Sequence, residues 1–223
     1  MPNGASPPFR PAAVLFDMDG LLLDTEAPAI SAWVRAASAL GFEADPEIPR
    51  RTIGVDAAST RAIVLEALGP DFPYEEVRGV MRRIIREEAA RNGIPQKPGI
   101  APLLDHLAAR GIPGAIATST ARELAEWKLE RSGLAGRFPV MVCGDEVERG
   151  KPAPDIFLKA AEKLSTPPEQ CIGFEDSPAG IRALHAAGIK SVFIKDLVEP
   201  PPPVLALVWR RLDRLDEAIP LIG

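Results

Sequence analysis

Asp17 and Asp19 stand two residues apart in Asp17-Met18-Asp19-Gly20, and Glu175 and Asp176 are adjacent far along the chain. Thr118 and Ser119 are neighbouring hydroxyls, and Gly144-Asp145 is followed shortly by Lys151. Taken singly these residues say little, because an aspartate or hydroxyl after a strand is commonly a helix cap or turn former. As a set they are informative. Carboxylates from Asp17-Met18-Asp19 joined by Glu175-Asp176 repel one another strongly unless a cation neutralises them. Oxygen ligands without nitrogen or sulfur select a hard cation, Mg2+. A Mg2+ site with a lysine and hydroxyls nearby is what a transferring phosphoryl group needs, since its catalysis is mostly positioning and charge stabilisation.

The elements that would position this set are short β-rich runs: Ala13–Phe16, Gly114–Thr118, Val140–Cys143, Cys171–Phe174 and Ser191–Ile194. Helix-like segments separate the last four, an alternation that predicts a doubly wound, Rossmann-like α/β fold with a parallel sheet. Ser177-Pro178 reads as a helix start, and Gly188 as its stop. In such sheets ligands bind beyond the carboxyl ends of the strands, and every residue of the chemical set stands at or after the end of one of these runs. About a hundred residues lie between the first run and the second, far more than one crossover helix needs. Apolar positions such as Ile30, Trp33, Val34 and Ala37, and later Val77, Val80, Met81, Ile84 and Ile85, recur at helical spacing. The expected architecture is a core of residues 1–25 and 93–223 with a small helical cap, 26–92, inserted after the first strand. In the tail, Val204–Trp209 is expected to add an edge strand, followed by a short closing helix near Leu215–Leu221.

The chain has 223 residues, 46% hydrophobic and 26% charged, with 18 Gly and 24 Pro, which excludes a disordered or fibrous protein. A net charge of −5 gives no basic field for nucleic acid. No apolar run approaches the ~20 residues that span a bilayer, and Met1–Pro11 lacks the pattern of a leader. A cytoplasmic protein without membrane partners is expected. Cys143 and Cys171 sit inside apolar runs as buried, reduced thiols with no metal-ligand spacing. His106 and His185 lie mid-way along helix-like segments, so catalysis is expected to run on carboxylates.

Four strings resemble the motifs of the haloacid dehalogenase superfamily in order and separation: DMDGLLLDTE (Asp17–Glu26), ATST (Ala117–Thr120), GKPAPDIF (Gly150–Phe157) and GFEDSPAGI (Gly173–Ile181). The cap resembles that of the branch containing β-phosphoglucomutase and many small-molecule phosphatases. The resemblance implies that Asp17 is the nucleophile, forming an aspartyl-phosphate. It implies that Asp19 is the general acid and base, its proton retained at neutral pH by the neighbouring carboxylates. It further implies Mg2+ held by Asp17, the Asp19 backbone carbonyl and Asp176, with Glu175 as an additional or water-mediated ligand. Thr118 and the backbone around Ser119 would bind the phosphoryl oxygens, and Lys151 would pair with phosphate and nucleophile. A monomer is implied for this cap type.

Within that family the expected activity is a phosphatase acting on a small phosphorylated metabolite, such as a sugar or polyol phosphate. Asp19 speaks against a dehalogenase, and the absence of lysine between Glu26 and Gln96 against phosphonoacetaldehyde hydrolysis. The mutase alternative lacks its histidine, where Pro28, Ala29 and Ile30 stand, and its cap arginine, where Val55, Asp56 and Ala57 follow Gly54. A catalytically idle phosphate-sensing module is the alternative of another class, and the retention of Asp17, Asp19, Lys151 and Asp176 argues against it. The nine cap arginines accompany eleven acidic residues and read as a solvated face. Arg50 and Arg51, just before Gly54, are the pair placed to read an acidic substrate group.

Overall fold

The computed structural model describes residues 9–55 and 57–222. The first eight residues of the leader reading, and Asp56, lie outside them. The five apolar runs become strands β1 (Ala13–Phe16), β2 (Gly114–Thr118), β3 (Val140–Cys143), β4 (Cys171–Glu175) and β5 (Lys190–Ile194), joined by β6 (Arg210–Leu212). All pair in parallel, in the order β3-β2-β1-β4-β5-β6, with β1 central between β2 and β4.

Side chains on a strand alternate between faces, and here both faces are covered. Val14 and Phe16 of β1 pack with Leu103, Leu104 and Leu107 of helix α5 (Ile100–Ala109), Ala125 and Leu129 of α6 (Arg122–Ser132) and Ile222 of α10 (Ile219–Ile222). Ala13 and Leu15 face the other way, onto Ile156, Phe157, Ala160 and Ala161 of α7 (Asp155–Lys163) and Ala183 and Leu184 of α8 (Pro178–Ala186). This is the doubly wound α/β fold that the strand–helix alternation predicts. The start of α8 follows the sequence signal: Ser177 Oγ accepts the Gly180 N–H at 3.0 Å, and Pro178 occupies the first turn.

Between β1 and α5 the chain forms helices α1 (Glu26–Ala39), α2 (Glu47–Arg50), α3 (Ala57–Leu68) and α4 (Tyr74–Asn92). Trp33, Ala36, Ala37, Ile48, Val64, Phe72, Tyr74 and Val77 make an apolar cluster of their own, distinct from the two that cover the sheet. The segments leading into and out of these helices run side by side. Asp24 N–H donates to Pro95 O and Lys97 N–H to Leu22 O, both at 2.9 Å, around an antiparallel bridge from Leu23 to Gln96.

The tail departs from the sequence expectation. Pro202–Leu205 is a short helix, α9, and the edge strand falls later, at Arg210–Leu212. Pro202 and Pro203 carry no N–H and have a preset φ, which suits a first helical turn and forbids a ladder. Val204 then packs against Ile181 and Phe193, leaving charged residues to pair with β5. The closing segment is helical as expected, a 3-10 turn (Leu215–Ala218) running into α10. Among the described residues no helix is long and apolar enough to cross a membrane.

Candidate active site

The C-terminal ends of β1, β2 and β4 bring the acidic and hydroxyl residues to one edge of the sheet. Asp17 follows β1 directly, and its N–H donates to Phe174 O at 3.1 Å, extending the β1–β4 pairing by one residue. Lys151 Nζ reaches Asp17 Oδ1 at 2.5 Å and Glu175 Oε1 at 2.6 Å, with all three residues buried. The lysine stem lies against Phe157, whose ring centroid is 4.8 Å from Nζ. Glu175 Oε2 accepts from Asp176 N–H and Ser177 N–H, both at 3.0 Å, and from Ser177 Oγ at 2.9 Å. Glu175 thus holds both Lys151 and the turn into α8. Gly180 is required there, since a β-carbon on it would fall 1.7 Å from Glu175 Oε1.

Asp176 Oδ2 is buried and has no hydrogen-bond partner among the described residues. It borders Gly20, whose φ is +79° and whose added β-carbon would come within 2.2 Å of that oxygen. A buried carboxylate oxygen without a donor is costly unless something absent from a bare chain satisfies it. An oxygen-only cradle beside Asp17 fits a hard divalent cation. Among the described residues, the one group of three possible ligands with atoms all within 4.8 Å of one another is a different one, Cys143, Asp145 and Glu146. Its glutamate is already paired with Arg122 and Lys163, and burial pushes the Cys143 thiol up to about 11, so that trio suits a metal poorly.

Thr118 is buried at the end of β2, and its Oγ1 accepts the Thr120 N–H at 3.2 Å, leaving the hydroxyl proton free to donate. Ser119 Oγ is buried without a partner among the described residues. Both hydroxyls that the sequence singles out therefore have unspent donors.

The electrostatics correct one expectation. Burial raises the proton affinity of Asp19, but Lys128 at 2.5 Å and the hydroxyls of Thr25 and Thr120, each at 2.7 Å, outweigh it and hold the carboxyl below its usual range. The neighbouring carboxylates do not keep Asp19 protonated in this state, because a lysine on α6 faces it. The shifts of the other acids run upward. Burial raises Asp17 and Asp176, opposed in Asp17 by Lys151 and reinforced in both by Glu175. Burial, with Asp19 nearby, pushes half-buried Glu26 up to about 8.

These shifts make a stability prediction. Acids with folded pKa values above their unfolded ones bind more protons in the native state, so stability falls as pH rises through the window from about 4 to 8. In EDTA the protein is expected to melt about 4 °C or more higher at pH 5.5 than at pH 8. Added Mg2+, which needs the deprotonated acids, should raise the melting temperature more at pH 8 than at pH 5.5. Scanning calorimetry at the two pH values checks both signs.

Lys128 lies outside the four quoted strings, and Thr25 and Thr120 lie inside two of them without an assigned contact to Asp19. Lys128 had a visible signal: with Ala125, Leu129 and Ser132 it occupies the inward stripe of α6, where an apolar residue is expected. Lys97 is a second case. Its Nζ lies 2.6 Å from Asp196 Oδ1 and 3.7 Å from Asp24 Oδ1, tying the loop after β5 to the start of the inserted helices.

Arg50 and Arg51 differ in placement. Arg50 lines a cavity of about 330 Å3 with Ile30, Val34 and Leu197, its Nε 3.3 Å from Glu47, whereas Arg51 points to Glu66 at 4.0 Å on the surface. Gly54 sits against the site, since a β-carbon on it would lie 2.3 Å from Ser177 Oγ. His106 and His185 lie on α5 and α8 and take no part in these contacts, and both cysteines are free and buried.

A parallel α/β sheet whose strand ends carry this aspartate–lysine–glutamate arrangement defines a hydrolase class. Residues 11–188 match the haloacid dehalogenase-like hydrolase family, and the chain belongs to it. It is 36% identical over 184 residues to the phosphorylated carbohydrates phosphatase of Thermotoga maritima, covering 81% of this chain and 83% of that one. Against hexitol phosphatase A of Escherichia coli it is 34% identical, covering 86% and 87%. The crystal structure of CbbY from Rhodobacter sphaeroides in complex with phosphate superposes with a TM-score of 0.77 at 27% identity, over 93% of this chain and 96% of that one.

Proposed function

We propose that the protein is a Mg2+-dependent phosphatase that hydrolyses a small sugar or polyol phosphate through an aspartyl-phosphate on Asp17. The observation that carries this reading is Asp17 at the end of the central strand, buried against Lys151 and beside the unpartnered Asp176 oxygen. The names of the relatives, phosphatases of phosphorylated carbohydrates and hexitols, support the substrate class.

In the first half-reaction an Asp17 carboxylate oxygen attacks phosphorus while the ester P–O bond breaks. Asp19 gives its proton to the departing oxygen, which leaves as the alcohol. Asp19 must first gain that proton, and the dianionic phosphate entering the cleft favours it by raising the carboxyl's proton affinity. In the second half-reaction water attacks phosphorus, Asp19 takes its proton, and the Asp17–phosphorus bond breaks to release inorganic phosphate. Lys151 neutralises charge on Asp17 and on the phosphoryl oxygens, which the Thr118 hydroxyl and the Ser119 backbone orient. Asp17, Asp176 and the Asp19 backbone carbonyl would hold Mg2+, with Glu175 as an additional or water-mediated ligand, and the ion would supply further neutralisation of the phosphoryl group. Residues 26–92 act as a cap over the core of 1–25 and 93–223. Their separate apolar cluster, the paired entering and leaving segments, and the approach of Gly54 to Ser177 support that division.

The test is phosphate release from a panel of sugar, polyol and nucleotide phosphates with and without Mg2+. The panel includes β-glucose 1-phosphate with its bisphosphate activator. Metal-dependent release from sugar or polyol phosphates is expected. Formation of glucose 6-phosphate with little release would establish a mutase instead, and no turnover of any compound would indicate a binding module.

A further inference from the structure

The Asp19 carboxylate is gripped from three separate elements. Its Oδ1 accepts from Lys128 Nζ at 2.5 Å and from Thr25 Oγ1 at 2.7 Å, and its Oδ2 accepts from Thr120 Oγ1 at 2.7 Å. Thr25 lies just before α1, Thr120 in the loop after β2, and Lys128 in the second turn of α6. The pair is not a surface salt bridge, since the side chains are only 14% and 18% exposed. Asp19 is also the one ion-pair partner of Lys128 among the described residues. Lysine heads are strongly hydrated and seldom give up water without a specific contact in return.

We propose that Lys128 is a positioning residue that fixes the orientation of the Asp19 carboxylate for proton transfer to and from the ester oxygen. The inference rests on the phosphatase reading above and adds to it a residue outside the four sequence motifs. With Oδ1 held by the ammonium and by Thr25, the carboxylate cannot rotate without breaking two charge-assisted contacts. Oδ2, held by one hydroxyl alone, is the oxygen left to exchange its donor for the leaving group. Proton transfer depends on heavy-atom separations near hydrogen-bond length, so a carboxylate free to rotate loses catalytic efficiency while phosphate binding at Thr118 and Lys151 persists.

The experiment compares wild type with Lys128→Met, Lys128→Gln and Lys128→Arg in Mg2+, on two substrates. One is the sugar phosphate most rapidly hydrolysed in the panel. The other is p-nitrophenyl phosphate, whose leaving group departs without needing a proton. For Lys128→Met we expect kcat on the sugar phosphate to fall about 100-fold with KM changed less than about threefold. The pre-steady-state rate of nitrophenolate release should fall only a few-fold, and Lys128→Arg should recover at least about tenfold of the lost kcat. Equal losses on the two substrates, a loss confined to KM, or no loss would each overturn the proposal. If Lys128→Met does not fold, by circular dichroism and melting, the same criteria are read on Lys128→Gln. Absence of wild-type phosphate release would overturn the phosphatase reading itself, and this proposal with it.

Discussion

Asp17→Asn is expected to abolish phosphate release, lowering kcat about 10^4-fold or more, because removing a covalent nucleophile leaves only binding and electrostatics. The amide keeps the shape of the carboxylate and still accepts from Lys151, so the buried Lys151–Glu175 contact at 2.6 Å should survive. The variant should therefore fold and bind substrate. Burial already raises the proton affinity of Asp17, so replacing the acid with a neutral isostere removes a charge that this buried position accommodates poorly. Stability in EDTA is expected to be maintained while activity vanishes. Wild type quenched in acid during turnover of a 32P-labelled substrate should carry acid-stable, base-labile label, and Asp17→Asn none. Residual turnover of a few per cent with covalent label would place the nucleophile elsewhere.

Lys151→Met should act in the opposite order, on the fold first. Lys151 is 1% exposed and Glu175 0%, and among the described residues the ammonium is the only side-chain cation placed between Asp17 and Glu175. Removing one partner of a buried charge pair costs about 3–5 kcal/mol, because the remaining charges stay desolvated. Here two carboxylates lose their common counter-ion together, with Asp176 adjacent. The loss should shrink as pH falls, since the stranded acids then take up protons and burial no longer opposes a charge. Urea unfolding at pH 8 and pH 5 measures it. Adding Glu175→Gln to Lys151→Met should restore part of the stability at pH 8, because the pair is then removed as a unit. An unchanged midpoint in Lys151→Met would mean that water reaches this cluster.

The five strands of the core are legible because each is an apolar run, four of them almost wholly buried, and the acids and hydroxyls of the site follow from them, standing at the strand ends. Lys151 meets Asp17 as that reading implies, whereas its contact with Glu175, read from the sequence as a metal ligand, is added by the structure. The sixth strand is harder to see. Arg210 and Arg211 are exposed at the sheet edge, where backbone pairing with β5 and the contact of Arg211 with Glu199 take the place of an apolar pattern. The state of Asp19 was hidden for a different reason. Local sequence shows the acids around it, but the lysine that governs it lies more than a hundred residues away, and only tertiary packing brings the two together. A charged residue in the inward stripe of α6 was the trace left in the sequence, and it belongs to no motif.

The central position of β1 sets an order of assembly. The ribosome delivers β1, which carries the proposed nucleophile, well before its ladder partners β2 and β4, the latter near residue 172. Such distant pairings form late, because the intervening chain must close before they repay its entropy. A nascent chain arrested before β4 emerges thus carries Asp17 without Glu175, Asp176 or half of its sheet. Catalytic competence, on this topology, waits for β4, and chains truncated before it should be inert as well as unstable.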